Sequence, residues 1–327
     1  MEIKIFEDKN LWNRFLDENN YLSFLQDFEY GEIEKELGRE VIRLGVFDND
    51  NLIGVCQLIG YQGKRKGLVV HHGPVIKKEK ADKFLNLLVD FLKKNSYQKK
   101  YDFLRINPLN EELTKTKDFI FAPTYAVTEN FWLKEIKNDD EMLKEMSETT
   151  RKLVLDSLKK PFLEIEKTID LDKFEIFWQI YQDLAQRKKF IPYPKEFIQK
   201  ELEIFSRENK ALLFLGKVEG KYYSGALIIF SHQIAFYHHS ASLPIREPLN
   251  YKMQWAIIQE AKNRGCKIYN LWGIARKETK NHPWHGLTQF KKSFGGKLIK
   301  LAPTIDYPFS WKYCLNYIYE KIKRGKL

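Results

Sequence analysis

The side chains best equipped to act on a ligand crowd into residues 281–296, NHPWHGLTQFKKSFGG, which hold two histidines, two lysines, aromatic rings and three glycines. Glycine lets backbone approach a ligand closely. Cationic and aromatic groups between glycines suit a phosphate-bearing or stacked partner. The stretch reads as a ligand loop, with a surface hairpin as the bland alternative. His282 and His285 form H-x-x-H, but no third ligand stands at a readable spacing, so no metal is expected. Phe290 and Phe294, four apart, share a helix face and read as core. By residue type alone, Lys291 beside Lys292 is a solvated surface charge. Tyr237, His238 and His239 lie on a strand, where alternation puts Tyr237 and His239 on one face. Asp102 reads as a turn residue or salt-bridge partner. No serine or cysteine nucleophile motif is present.

The elements that position these groups come from a repeat. Residues 44–54, LGVFDNDNLIG, match 215–225, LGKVEGKYYSG, as strand, polar turn, strand at an offset of 171. The same offset carries the amphipathic helix at 81–94 onto 252–265, and strands follow at 101–106 and 267–272. The chain therefore reads as two copies of one α/β unit, a β-meander followed by a helix and a further strand. Two short helices over 8–37 break at Asn19-Asn20. Residues 139–160 read as one helix carrying Arg151-Lys152, followed by helices at 174–185 and 195–207. A strand at 297–301 and an aromatic helix at 309–323 close the chain.

The chain has 327 residues, enough for two cores, and its 43% hydrophobic content is that of a globular protein. The net charge of +11 suits an anionic partner such as RNA, an acidic membrane surface or a phosphorylated substrate. Cys56, Cys266 and Cys314 form no C-x-x-C pair, which points away from disulfide and zinc frameworks. Residues 1–10 lack a signal-peptide pattern and no apolar run is long enough to span a bilayer. A cytoplasmic protein, at most resting on the inner face of the bacterial membrane, is the expectation.

A duplicated meander, helix, strand unit resembles the acetyltransferase-like (GNAT) fold. The run YNLWGI followed by Gly286, Phe290, Lys291, Phe294, Gly295 and Gly296 narrows this further. That G-x-x-x-F-K-x-x-F-G-G pattern resembles the FemABX (Fem/MurM-like) family of peptidoglycan-bridge aminoacyltransferases. FLQDFEYGEIEK at 24–35, HHGPVI at 71–76, LRINP at 104–108, ETTRKLVLDSLKK at 148–160 and AFYHHSAS at 235–242 look like further family segments in the right order. Asn270 stands where the family often has aspartate, and the helical-hairpin arm of some members has no room here.

The resemblance implies an α/β (α+β) fold of two tandem GNAT-like domains with mixed, largely antiparallel sheets flanked by helices. The first would span 1–145 plus 300–327 and bind the precursor; the second would span 146–299 on the aminoacyl-tRNA side, with the lysine stretch facing the cleft between them. It implies tRNA-dependent transfer of an amino acid to the stem-peptide amine of UDP-MurNAc-pentapeptide or lipid II, by a monomer with peripheral membrane contact. Aminoacyl-tRNA would be a co-substrate, with no other cofactor. Lys291, Phe290 and Tyr237 would be catalytic. Lys35, Tyr30, Arg151, Lys152, Arg187, His239, Trp284, His285 and Gly286 would bind substrate, the arginines favoured for a pyrophosphate by their fork of donors. Two alternatives share the fold. A CoA-dependent N-acyltransferase would need a Q/R-x-x-G-x-G/A loop, which neither 71–81 nor 239–252 supplies. A non-catalytic RNA- or membrane-surface-binding module would need none of this chemistry.

Overall fold

The computed structural model describes residues 1–327 apart from 63–65, 78–79, 115–117, 125–126, 277 and 325–327, so the turn expected at 64–67 and the end of the basic tail fall partly outside it. The chain forms two compact units, Met1–Glu129 with Lys300–Leu327, and Asn130–Ile299.

The first unit begins with β1 (Glu2–Ile5), α1 (Lys9–Glu18) and α2 (Phe28–Glu36). Asp8 caps α1 by accepting from the Leu11 N–H. The meander follows as β2 (Glu40–Asp48), β3 (Asn51–Tyr61), β4 (Gly67–Val70) and β5 (Val75–Ile76). Helices α3 (Ala81–Lys94) and α4 (Tyr97–Lys100) lead into β6 (Phe103–Ile106), which pairs parallel to β4, and then β7 (Ile120–Phe121). Phe84, Leu88 and Leu92 of α3 pack on Leu44, Leu58 and Leu104 of the sheet, the burial that the helix-period pattern demands.

The second unit starts earlier than its sequence boundary suggests. β8 (Asn130–Glu135) and α5 (Asp139–Glu145) belong to it, because β8 pairs with a strand more than 130 residues later. The single helix expected over 139–160 is two, α5 and α6 (Glu148–Leu158). Ser147 separates them, its hydroxyl accepting from the Thr150 N–H as an N-cap. β9 (Leu163–Thr168), α7 (Leu171–Lys188) and α8 (Lys195–Arg207) precede the second meander. That meander is β10 (Ala211–Val218), β11 (Lys221–Ser231) and β12 (Ile234–Ser242), followed by α9 (Leu249–Asn263) and β13 (Ile268–Asn270). β13 runs parallel to β12, as β6 does to β4. Even the irregularities repeat: both hairpins slip register near their turns, after Val46 and after Gly216. α10 (His285–Ser293) and β14 (Lys297–Lys300) complete this sheet, ordered β14-β8-β13-β12-β11-β10-β9.

The chain then returns to the first sheet. β15 (Ile305–Pro308) inserts between β6 and β7, and α11 (Lys312–Arg324) closes the unit. Arg105 of β6 anchors the return, donating to both carboxylate oxygens of Asp306 at 2.8 Å and to Glu320 at 2.8 Å.

Two glycines fix the end of α10. Gly295 and Gly296 have φ of +82° and +108°, and a Cβ on Gly296 would lie 2.4 Å from the Leu133 carbonyl oxygen. Gly296→Ala is expected to destabilise the second unit by about 2 kcal/mol or more, through strain and the clash with β8. Thermal melting of the purified variant checks this.

Candidate functional site

The stretch expected to be a loop is helical over most of its length. Residues 285–293 form α10, with one glycine near its start and none inside until the Gly295-Gly296 stop. Its two faces divide the labour. Phe290 and Phe294 turn to the core, packing on Tyr251 of α9 with ring centroids 5.5 and 5.9 Å away. Phe290 is thereby a packing residue that orients the helix. Thr288 and Lys291, three apart, turn to the segment 271–275 that follows β13.

That segment is buried, so its backbone polar groups need partners. Asn130 supplies two, donating to the Ile274 carbonyl at 3.2 Å and accepting from the Ile274 N–H at 2.9 Å. Thr288 Oγ1 accepts from Ala275 N at 3.0 Å. Lys291 Nζ donates to the Gly273 carbonyl at 2.7 Å. Asn270 Oδ1 accepts from Trp272 N at 2.8 Å, the bond a carboxylate would accept, without burying a charge. Trp272 itself sits at φ +63°, an outlier for a bulky residue that the surrounding bonds must hold.

Lys291 is only 5% exposed, not the solvated lysine its residue type suggests. Burial lowers its pKa to about 7, so it holds its proton weakly near neutrality. An anion arriving beside it would supply the missing counter-charge. His282 is committed to a turn: its Nδ1 accepts from Trp284 N at 3.0 Å and its carbonyl from His285 N at 2.8 Å. Trp284 is half exposed with its ring beside His282, and His285 opens α10. A Cβ on Gly286 would touch nothing, so the chain itself does not require glycine there.

Tyr237 and His239 do not share a face. The pairing of β12 with β11 slips between Leu227 and Ile228, opposing them to His239 and Tyr237 and leaving His238 as the extra residue of a bulge. Tyr237 therefore points into the core beside Tyr269 and α9. His238 and His239 both turn to Glu201 of α8, with Nε2–carboxylate distances of 3.1 and 2.8 Å. Their ligand atoms and the carboxylate oxygens lie within 4.8 Å of one another, a donor set that could hold a metal ion. Each Nε2 already faces a carboxylate oxygen, so the trio also closes on itself by hydrogen bonding. Burial pushes the Glu201 carboxyl up, but the charges and hydrogen bonds of His238 and His239 prevail and hold it down at about 2. Burial and the neighbouring His238 lower the pKa of His239. Tyr193 and Tyr181 stand edge-on to the His239 ring, and the His238 ring meets Trp272 at 5.0 Å. The trio and the segment 271–275 are thus one connected patch. Sequence reasoning missed Glu201, yet a signal existed: it occupies the apolar stripe of α8 with Phe197, Ile198, Leu202 and Phe205.

The remaining candidates are dispersed. Arg151 and Lys152 lie on α6, and Arg187 ends α7 paired with Asp183 and donating to the Ser242 carbonyl at 2.6 Å. In the first unit, Lys35 bridges Glu32 at 3.1 Å and Glu7 at 3.6 Å, so binding phosphate there requires opening an ion-pair cluster shared with buried Arg43. Tyr30 is buried edge-on to His71. Gln26 stitches β3 to the chain after β4, donating to the Gln57 and His71 carbonyls at 3.1 and 2.9 Å. Asp102 accepts from Ser310 Oγ at 2.8 Å as a turn partner.

Comparison with known proteins fits this geometry. The FemAB family pattern matches residues 221–321, from β11 through the α10 signature into α11. The solved structure of FemX superposes with a TM-score of 0.84 at 20% identity, covering 98% of this chain and 100% of that one. The FemAB family is thus matched over the second meander and the signature helix, and the fold of the whole chain is that of FemX. A lipid II:glycine glycyltransferase of Staphylococcus haemolyticus is 29% identical over 147 residues, which is 44% of this chain and 33% of that protein. The chain's match thus spans about a third of the length of that curated relative. A tandem GNAT protein from the clavulanic acid pathway shares the fold with a TM-score of 0.58 at 7% identity, over 94% of this chain and 98% of that one. The fold of this chain is accordingly the tandem GNAT-like arrangement expected from the repeat.

Two outcomes follow for the site. The Lys291 pKa is depressed from 10.5 in the unfolded chain to about 7 in the fold. Between those values the unfolded state binds more protons, so stability rises with pH. The burial penalty is full below pH 7 and gone above pH 10.5. Lys291→Met should therefore raise the melting temperature most at pH 6, with the gain shrinking toward pH 10. Glu201→Leu removes the acceptor of both histidines and should cost about 3 kcal/mol in chemical denaturation at pH 7.

Proposed function

We propose that this protein is an aminoacyltransferase. It moves an aminoacyl group from the 3′ end of an aminoacyl-tRNA onto the side-chain amine of a peptidoglycan stem peptide, carried on lipid II or UDP-MurNAc-pentapeptide. The observation that carries the reading is Lys291, a buried lysine with a pKa near 7, pinned to the Gly273 carbonyl inside the FemABX signature. The glycyltransferase named above supports the substrate class. The net charge of +11 suits two polyanionic substrates.

The chemistry asks little of a nucleophilic side chain, because an aminoacyl ester is already activated. The acceptor amine attacks the ester carbonyl carbon, a C–N bond forms and the carbonyl oxygen becomes an oxyanion. The C–O bond to the ribose then breaks, and the ribose oxygen takes up the proton that the amine gives up. What the protein must add is position and a positive charge where the oxyanion develops. Lys291 fills that role once protonated, and the buried segment 271–275 holds it in place. Peripheral membrane contact and an inner-face location belong to the same proposal. Among the described residues no helix is long and apolar enough to cross a membrane. The connection from β12 to α9, LPIREP, contains no glycine to cradle a CoA pyrophosphate.

The test incubates the protein with mixed radiolabelled aminoacyl-tRNAs and either UDP-MurNAc-pentapeptide or lipid II. RNase-sensitive transfer of label to one acceptor is the expected result, and no transfer to either overturns the reading. Lys291→Ala is expected to lower kcat by about 100-fold or more. In the wild type the alkaline limb of kcat/KM should lie near pH 7, where free Lys291 loses its proton. The limb of kcat should lie higher, because bound donor raises that pKa.

A further inference from the structure

Helix α11 is turned inside out for a helix of a globular protein. Its inner face is polar: Tyr313 OH donates to Asp306 at 2.6 Å, Glu320 accepts from Arg105 and from Thr124 Oγ1, and Asn316 is buried beside them. Its outer face is apolar. Trp311 just before the helix, then Leu315, Ile318, Tyr319 and Ile322, are each more than half exposed. At about 100° per residue these five fall within an arc of roughly 100°, and Lys312 and Lys321 flank it on either side. The helix sequence carries Lys312, Lys321, Lys323 and Arg324 against a single carboxylate, Glu320, which is turned inward on Arg105. The buried polar network holds this face outward, since rotating α11 would take Glu320 from Arg105 and Tyr313 from Asp306.

We propose that α11 is a membrane-docking helix that lies flat on an anionic phospholipid bilayer. Leu315, Ile318 and Ile322 enter the acyl boundary, Trp311 and Tyr319 sit at headgroup level, and the lysines meet lipid phosphates. An exposed apolar stripe with aromatic and lysine borders has the chemistry of an interfacial helix. Charge complementarity selects the anionic surface. The docking deepens the lipid II form of the reading above, on which it rests, and would place the first unit at the surface where such an acceptor resides.

Vesicle flotation without any substrate tests the docking apart from the transfer reaction. The protein is expected to float with equimolar phosphatidylcholine–phosphatidylglycerol vesicles, and about tenfold less with phosphatidylcholine alone or in high salt. Trp311 fluorescence should shift to the blue on binding, and Trp311→Phe should remove that shift. Leu315→Glu combined with Ile318→Glu should weaken flotation at least about tenfold while leaving the melting temperature and transfer to soluble UDP-MurNAc-pentapeptide unchanged. Lys312→Glu with Lys321→Glu should erase the preference for the anionic lipid. A wild-type protein that stays unbound, or a double-glutamate variant that floats undiminished, overturns the proposal. So does a wild-type dimer in sedimentation velocity that this variant converts to monomer without any vesicle binding, because the face would then cover a second copy. Flotation without transfer to any acceptor would sink the functional reading and leave the docking standing.

Discussion

A lysine ammonium held out of water against a backbone carbonyl is the interaction around which the second unit is arranged. Lys291 can reach Gly273 only because α10 is anchored by Phe290 and Phe294 on one face and stopped by two positive-φ glycines at its end. Gly273 presents its carbonyl only because Asn130, Thr288 and Asn270 hold the segment 271–275 through its backbone. Desolvation makes the arrangement costly whenever Lys291 is charged. A negative group beside the lysine would relieve that cost.

The duplication gives two versions of one template with different contents. In both units a strand of the meander pairs parallel to the strand that follows the helix. In the first unit the chain after β4 carries His71 and His72, held by hydrogen bonds to Gln26, Tyr61 and Ser23, and ends in a packed polar interior. In the second, the corresponding strand is bulged, and His238 and His239 together face Glu201. One extra residue in β12 thus converts a strand alternation into a histidine pair, and links that pair through Trp272 to the lysine segment.

Much of this was legible in the sequence because it is periodic or local. The repeat offset, the amphipathic α3 and the turn residues are short-range signals, and α8 begins and ends where its pattern does. What escaped was long-range or irregular. β8 and β15 are short strands whose identity depends on partners over a hundred residues away. The Ser147 break between α5 and α6 rests on a single cap, and the β12 bulge leaves no mark in residue type. The signature lysine was visible, but its burial was not, since lysine is ordinarily exposed and only the three-dimensional wrapping of segment 271–275 removes the water. The inverted helix α11 was legible as a closing helix rich in aromatics, though not which face would turn outward. That was decided by nearby Asp306 and by Arg105, which is distant in sequence.

The most direct test of this account is an NMR titration of Lys291 through its isotopically labelled Cε, assigned with Lys291→Met, first alone and then with a saturating aminoacyl-tRNA. A midpoint near pH 7 that moves upward when the donor binds is the predicted result. A midpoint at the ordinary lysine value, or one that the donor leaves unmoved, would contradict the account.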